Sequence, residues 1–388
     1  MNNSHVMDEK RSALYSDYTI DGVDQDLTPA QMLDACLADR SRMAFSPSME
    51  PIVDETLDYA IRTLETDRNC MKQYLEKMRS VKEVRFPMAF PEEHTRWQIA
   101  HALINAIWKG GHFRLGDISL RPEWKWNGDK LGSMACFYSS VHAAAEYADM
   151  LGIKFSGYSY SDADACSMTV SAGLLDGDPV SEEEDVEDFF GELPFKTEHP
   201  KMSGRNLHPT KMQPDPQSWL IYVPFDTCDY RFGGSLLAQA MGVSGSTAPT
   251  LDDPDYFIDC YEVVRELVED KIILAGTTVG RGGLISALKR MTAPKVGAGI
   301  ELADLMKATG EKDIIRLLFA EVPGVIFQIA DIDYDYVDAE LLLQDVAFYP
   351  LGHPVTGSSR INVLASEKSG IQTILESIIR SQNSEGED

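Results

Sequence analysis

Residues 218–302 constrain the fold of this chain more than any other stretch. A strand-like apolar run, WLIYVPF, covers 219–225, and after a turn the chain reads YRFGGSLLAQAM over 230–241. LDDPDYFIDCYEVVRELVEDK follows, and its apolar spacing predicts an amphipathic helix over 255–270. IILAGTTVGRGGLISALKRM then supplies a short strand at 272–275, a glycine turn and a helix at 284–291. Apolar periodicity switches from strand to helix twice, each time across a Gly-Gly pair. Strand–turn–helix units of this kind build α/β domains, so the expected class is α/β (α+β).

The flanking sequence extends the pattern. Thr28 before Pro29 reads as an N-cap and first helical residue, with a helix expected to about residue 41. Residues 1–27 read as extended or loosely ordered. Leu57, Ala60, Ile61, Leu64, Met71, Tyr74, Leu75 and Met78 fall at helical spacing and predict a helix over 54–81. A further helix is expected at 136–150, ending at Gly152. Towards the C-terminus the expectations are a helix at 313–319, a strand at 324–329, a helix near 337–343, a strand near 346–349 and a closing hairpin over 352–365. With 388 residues, the chain divides into a helical extension (1–80), two domains (81–205 and 206–380) and an acidic tail (381–388).

Charge narrows the function classes. Lys and Arg number 35 against 62 Asp and Glu, a formal net charge of −27. Phosphate-backbone binding needs basic surfaces, so nucleic acid and anionic membranes are disfavoured, while a nucleotide held by backbone amides at a helix N-terminus is not. Cys36, Cys70, Cys136, Cys166, Cys228 and Cys260 are scattered without a CxxC pair, which implies free thiols in a reducing compartment. The polar N-terminal segment resembles no secretory signal, and no apolar run reaches membrane-spanning length; a cytoplasmic protein is expected. The acidic run 181–192 reads as a solvated insertion, with a docking peptide as the alternative, and the Pro-rich 206–217 as a linker.

In order and spacing, FGGSLLAQAM, LDDP, the helix after it, VGRGGLISALKRM and GAGIEL resemble the aminoimidazole ribonucleotide synthase superfamily over 218–363. Within it they are most similar to the C-terminal half of the formylglycinamidine ribonucleotide synthase family. The resemblance extends upstream over 95–155: His101–Asn105 stand where that family has an EALTN-like helix segment, Gly116-Asp117-Ile118 where it has a GDI-like turn, and residues 120–124 at its strand end. It implies a two-domain synthase-like fold whose first domain forms a barrel across a dimer. It also implies an ATP-dependent ligation turning an amide into an amidine, with Mg²⁺ on carboxylates and donors on phosphate.

The departures are as informative as the match. Where the family carries an HDVSDGG-type turn, this chain has Thr277, Thr278, Val279, Gly280, Arg281, Gly282 and Gly283; the His and both Asp are missing. The family's GKDS-type loop corresponds to residues 156–168, which contain no Lys. No glutaminase nucleophile elbow is present. The candidate phosphate contacts implied by the resemblance are Gly233, Gly234, Arg281, Gly282 and Gly283, with Asp117, Asp162 and Asp164 as candidate Mg²⁺ ligands for a bound ATP or ADP. The alternative for Asp162 and Asp164 is a loop that caps its own backbone. His142 and Glu146, one helical turn apart, have metal-ligand spacing but read more readily as a surface pair. Two functions follow: an enzyme subunit completing a site with a homodimer mate or partner synthase subunit, or a non-catalytic relative kept as a scaffold. The lost acids favour the second. A selenophosphate- or thiamine-phosphate-type kinase is disfavoured, because the acidic loop such enzymes need is missing.

Overall fold

The computed structural model describes residues 12–38, 69–82, 84–109, 113–174, 208–245 and 247–364. The first part (54–68) of the helix expected over 54–81, the acidic run 181–192 and the tail 381–388 lie outside the described residues.

The start is more ordered than its sequence suggested. β1 (Thr19–Ile20) and β2 (Val23–Asp24) form a small antiparallel hairpin. Asp21 and Gly22 turn it with φ of 52° and 80°, the conformation an Asp-Gly pair favours in a two-residue hairpin loop. α1 (Pro29–Ala35) opens with a full capping box. Thr28 Oγ1 accepts from the Gln31 amide at 3.3 Å, and Gln31 Oε1 accepts from the Thr28 amide at 2.8 Å. The helix ends before the expected residue 41 because Leu37 bridges to Phe155 and the Ala38 amide donates to Phe155 O at 2.9 Å. α2 (Asn69–Arg79) buries Met71, Leu75 and Met78.

The first sheet is organised on β3 (Ile118–Trp126). β6 (Ser167–Leu174) runs antiparallel along one edge of it. β4 (Lys154–Phe155) and β5 (Ser159–Asp162) pair parallel to it at different positions, opposite Ser119–Leu120 and Glu123–Trp126. Residues 156–168, read from sequence as a loop, therefore include β5 and the start of β6. Ile118, Leu120, Trp124 and Trp126 are buried while Arg121 and Lys125 are exposed, the alternation of a sheet with one covered face. α3 (Pro91–Ile107) and α4 (Ser133–Met150) pack against each other, joined by a 2.6 Å hydrogen bond between Thr95 and Ser140 hydroxyls.

The second sheet has the order β12-β9-β11-β7-β10-β8. Its elements in chain order are β7 (Trp219–Pro224), α5 (Leu236–Met241), α6 (Pro254–Glu269), β8 (Ile273–Val279), α7 (Gly283–Met291), β9 (Val296–Glu301), α8 (Ala303–Thr309), α9 (Ile314–Phe319), β10 (Gly324–Ile329), α10 (Tyr334–Leu343), β11 (Tyr349–Thr356) and β12 (Ser358–Leu364). All neighbours are antiparallel except β12 and β9. The alternation of strands and helices is as expected, and the sheet is mixed. The expected closing hairpin is not one. Gly357 reverses the chain, yet β11 and β12 both pair with β9, which lies between them. Only glycine permits this approach at Gly297, where a Cβ would sit 2.0 Å from Arg360 O.

Two cores separate by sheet face. Ile221, Val223, Val325 and Phe327 join a cluster with α3, α4, α6 and the first sheet. Leu220, Tyr222 and Ile326 join a second one with α2, α5, α7 and α9. β7 and β10 thus alternate between two apolar layers, which explains their nearly unbroken apolar sequences. α3 lies between the two sheets and buries residues around most of its circumference. No helix among the described residues is long and apolar enough to cross a membrane.

Candidate functional site

β8 leads into the glycine turn that the sequence singled out, but the strand is longer than the expected 272–275. Thr277, Thr278 and Val279 pair with β10, so the turn proper is Gly280–Gly282. Gly282 and Gly283 adopt successive left-handed φ of 79° and 70°. A Cβ on Gly283 would lie 2.6 Å from Leu318 O, and one on Gly280 would lie 2.4 Å from His101 Nε2. Glycine is therefore required twice, once for α9 and once for α3 to close on the turn.

The second glycine pair precedes α5. Gly234 has φ of 71°, and Ser235 caps the helix by accepting from the Ala238 amide. The Gly233 amide donates to Thr247 O at 2.7 Å. The tertiary structure brings the two pairs together. Arg281 Nη1 donates to Gly234 O at 3.0 Å and to Glu321 Oε2 at 2.9 Å. Glu321 Oε1 accepts from the Leu236 amide at 2.9 Å and the Gly282 amide at 2.8 Å. One carboxylate thus receives a guanidinium and an amide from each glycine turn, at 3% exposure for Glu321 and 8% for Arg281.

α3 and its C-cap supply the remaining wall through a stripe of aromatic and polar residues spaced three or four apart: His94, Trp97, His101, Asn105 and Trp108. The Trp97 indole donates to Glu321 O at 2.8 Å, and Arg281 Cζ lies 4.5 Å from the centre of the Trp97 ring, a cation–π distance. His101 stacks on Trp97 with centroids 4.8 Å apart. Arg281 Nη2 lies 3.1 Å from His94 Nε2. Burial, then the Arg281 charge, holds the His94 pKa well below its ordinary value, so the ring is neutral and can accept from the guanidinium. Further along, Trp108 Nε1 donates to Thr278 Oγ1 at 2.9 Å, and Thr278 donates to Asn105 Oδ1 at 2.7 Å.

The two glycine pairs expected as phosphate contacts are brought together through Arg281, but Arg281 and Gly282 already hold the Glu321 carboxylate, and the Gly233 and Gly283 amides are taken by backbone carbonyls. Gly282 donates to Glu321, Gly283 donates to Gly280 O at 3.0 Å, and Gly233 donates to Thr247. The cavity beside Arg281 and Glu321 is about 10 Å³, no more than a water fills. The residues present do not fit a nucleotide here.

The carboxylates expected as metal ligands do not converge. Asp117 ends the 3₁₀ turn before β3, whereas Asp162 pairs opposite Trp126 at the other end of that strand. Nine residues of strand place them roughly 30 Å apart. Asp162 accepts from the Tyr160 hydroxyl at 3.1 Å, and the Asp164 carbonyl accepts from the Asn127 side chain at 2.8 Å. Glu146 pairs with Arg96 at 3.1 Å, and His142 is exposed on the same helix. Among the described residues no group of three His, Cys, Asp or Glu is placed to hold a metal ion.

Glu321, His94 and Trp97 were not among the sequence candidates. Two signals pointed to them: Glu321 is a lone acid in the apolar run FAEVPGVIF, and the α3 stripe places two histidines and two tryptophans on one helix face.

Residues 219–339 match the family described as AIR synthase related protein, C-terminal domain. The chain is 26% identical over 274 residues to a probable phosphoribosylformylglycinamidine synthase, chloroplastic/mitochondrial, of Arabidopsis thaliana, a match covering 70% of this chain and 18% of that protein. It is 24% identical over 244 residues to the phosphoribosylformylglycinamidine synthase of Homo sapiens, covering 63% of this chain and 17% of that protein. The chain thus spans less than a fifth of the length of these relatives. Among solved structures, PurLQS from Thermotoga maritima aligns with a TM-score of 0.50 at 11% identity, over 77% of this chain and 46% of that one, which is a likeness of fold.

Proposed function

With an AIR synthase related C-terminal domain at residues 219–339 as its premise, we propose that this chain is a phosphoribosylformylglycinamidine synthase-like module that contributes structure and interaction rather than chemistry to a larger assembly. The observation that carries this reading is Glu321. Its carboxylate takes the Arg281 guanidinium and the Gly282 amide, two of the donors that the family resemblance would direct at phosphate, and the Leu236 amide beside them. An internal anion with these donors is bound at no entropic cost of association, so a phosphate would have to displace it. The dispersal of Asp117, Asp162 and Asp164 supports the same reading, because amide activation by ATP calls for Mg²⁺ on converging carboxylates. The assembly would be a homodimer or a complex with a partner synthase subunit. Cys36, Cys136, Cys166, Cys228 and Cys260 are free thiols, in keeping with a reducing compartment such as the cytoplasm.

A second reading, nucleotide binding by an enzyme subunit, draws on one observation. A cavity of about 170 Å³ lies beside the second glycine turn, bounded by Arg85, Phe86, Gly234, Ser235 and Gln239. Calorimetric titration of the full chain with ADP and ATP, with and without Mg²⁺, separates the two. The structural reading expects no saturable binding. Mg²⁺-dependent binding that is lost in Arg281→Ala would overturn it and establish the second.

A further inference from the structure

α10 buries one side and leaves the other bare. Val337 and Leu341 are fully buried in the core shared with α6. On the opposite side Tyr336 and Leu343 are 44% and 76% exposed, with exposed Ala339 between them. At 3.6 residues per turn these three fall within about 60° of one another around the helix axis. Ile332, 89% exposed in the 3₁₀ turn Asp331–Asp333 before the helix, extends the row to roughly 16 Å. Single exposed apolar residues are ordinary, whereas a continuous row on one helix face marks a contact. Both ends of the row are held in place. The Trp219 indole donates to Asp331 Oδ1 at 2.8 Å and its ring lies 4.9 Å from that of Tyr334, and the Val346 amide donates to Leu341 O at 2.9 Å. The surroundings are acidic. Residues 331–345 hold six Asp and Glu, and no Lys or Arg stands anywhere between Arg316 and Arg360. Around the axis Asp335 and Glu340 flank the row on its two sides. Partial burial, then the charges of Glu340, Asp270 and Glu266, raise the Tyr336 pKa, so carboxylates of α6 and its C-cap also face that phenol. Arg265 of α6 is already bound by Glu262, Glu266 and Glu269.

We infer that this face docks a basic amphipathic helix of a partner protein. The partner's apolar residues pack on Ile332, Tyr336, Ala339 and Leu343, and its Lys or Arg side chains meet Asp335 and Glu340. About three turns of partner helix match the length of the row. Charge chooses among the occupants. A second copy would bring the same carboxylates face to face in a chain of net charge −27, and the C-terminal segment 365–388 has five acids to two basic residues. The inference goes beyond the Glu321 reading and does not need it, since a ligand at the glycine turns would leave this face unchanged.

The test is calorimetric titration of the full chain with a short amphipathic helical peptide built of Leu and Lys. The controls are the same peptide with Glu for Lys, and one with the order scrambled so that no apolar face forms. Saturable binding of the Leu-Lys peptide is expected, with none of the Leu-Glu peptide and at least about tenfold weaker binding of the scrambled one. Ile332→Ser with Leu343→Ser, both at exposed positions, should weaken the Leu-Lys peptide at least about tenfold. Asp335→Asn with Glu340→Gln should weaken it and flatten its salt dependence. No saturable binding by the unaltered chain would overturn the inference. So would equal affinity in both double variants, which would mean attraction to the overall negative charge of the chain. A dimeric mass in sedimentation that Ile332→Ser with Leu343→Ser makes monomeric would overturn it in favour of a second copy. Binding about tenfold tighter in Ile374→Ser with Ile378→Ser would assign the face to the C-terminal segment instead.

Discussion

Replacing Glu321 by Gln removes one charge from a pair that is almost wholly out of water. Arg281 would remain at its buried position, with its cation facing a neutral amide, a neutral His94 and the Gly234 carbonyl. Breaking a buried pair from one side costs about 3–5 kcal/mol, because the remaining charge is uncompensated. The Gln oxygen can still accept from one or both of the Leu236 and Gly282 amides, so little is added for them. At roughly 2 °C per kcal/mol for a long chain, Tm should fall by about 6–10 °C. The second arm isolates the charge. Arg281→Met with Glu321→Gln removes the cation and fills its stem, so the double variant should be more stable than Glu321→Gln alone by at least about 1 kcal/mol. Urea unfolding followed by circular dichroism gives both numbers. A loss below about 1 kcal/mol for Glu321→Gln, or a double variant as unstable as the sum of its singles, would refute the claim that this ion pair holds the glycine turns together.

Other consequences are open to measurement. Gly283→Ala should cost at least about 2 kcal/mol, since its Cβ meets Leu318 O at 2.6 Å as well as the left-handed φ, whereas Gly310→Ala, with φ of 68° and open space around it, should cost about 1 kcal/mol; equal losses would count against the packing argument. His94 has a depressed pKa when folded, so the unfolded chain binds the proton more tightly and stability falls as pH drops below about 6.5. The unaltered chain should therefore lose up to about 1.4 kcal/mol per pH unit relative to His94→Gln between pH 6.5 and 5.5, and parallel pH profiles would remove His94 as the cause. Trp108→Phe should lose about 1 kcal/mol through the indole bond to Thr278, with Thr278→Val costing a similar amount and the double variant less than the sum; additive losses would show that the bond carries no coupling.

Local chemistry made much of this protein legible in one dimension. The Thr28–Pro29 helix start, the amphipathic spacing of α6, the apolar run of β10 and the Gly-Gly pairs opening α5 and α7 all act within a few residues of one another, so spacing alone reveals them. The family resemblance rested on that same local order. What the sequence left undetermined depends on contacts between distant segments. The apolar pattern of residues 349–364 does not say that β9 will lie between β11 and β12, because that place depends on Gly297, about fifty residues earlier, letting the Arg360 backbone approach. Asp117 and Asp162 looked like members of one ligand set until β3 held them at its two ends. Arg281 read as a phosphate contact in a turn that has lost its acids. The fold decided otherwise by carrying Glu321 to it from forty residues away, together with His94 and Trp97 from α3, and filling the space with the chain's own charge. A residue's type and neighbours fix what it can do chemically; which partner it meets is fixed only when helices and strands far apart in sequence pack into one core.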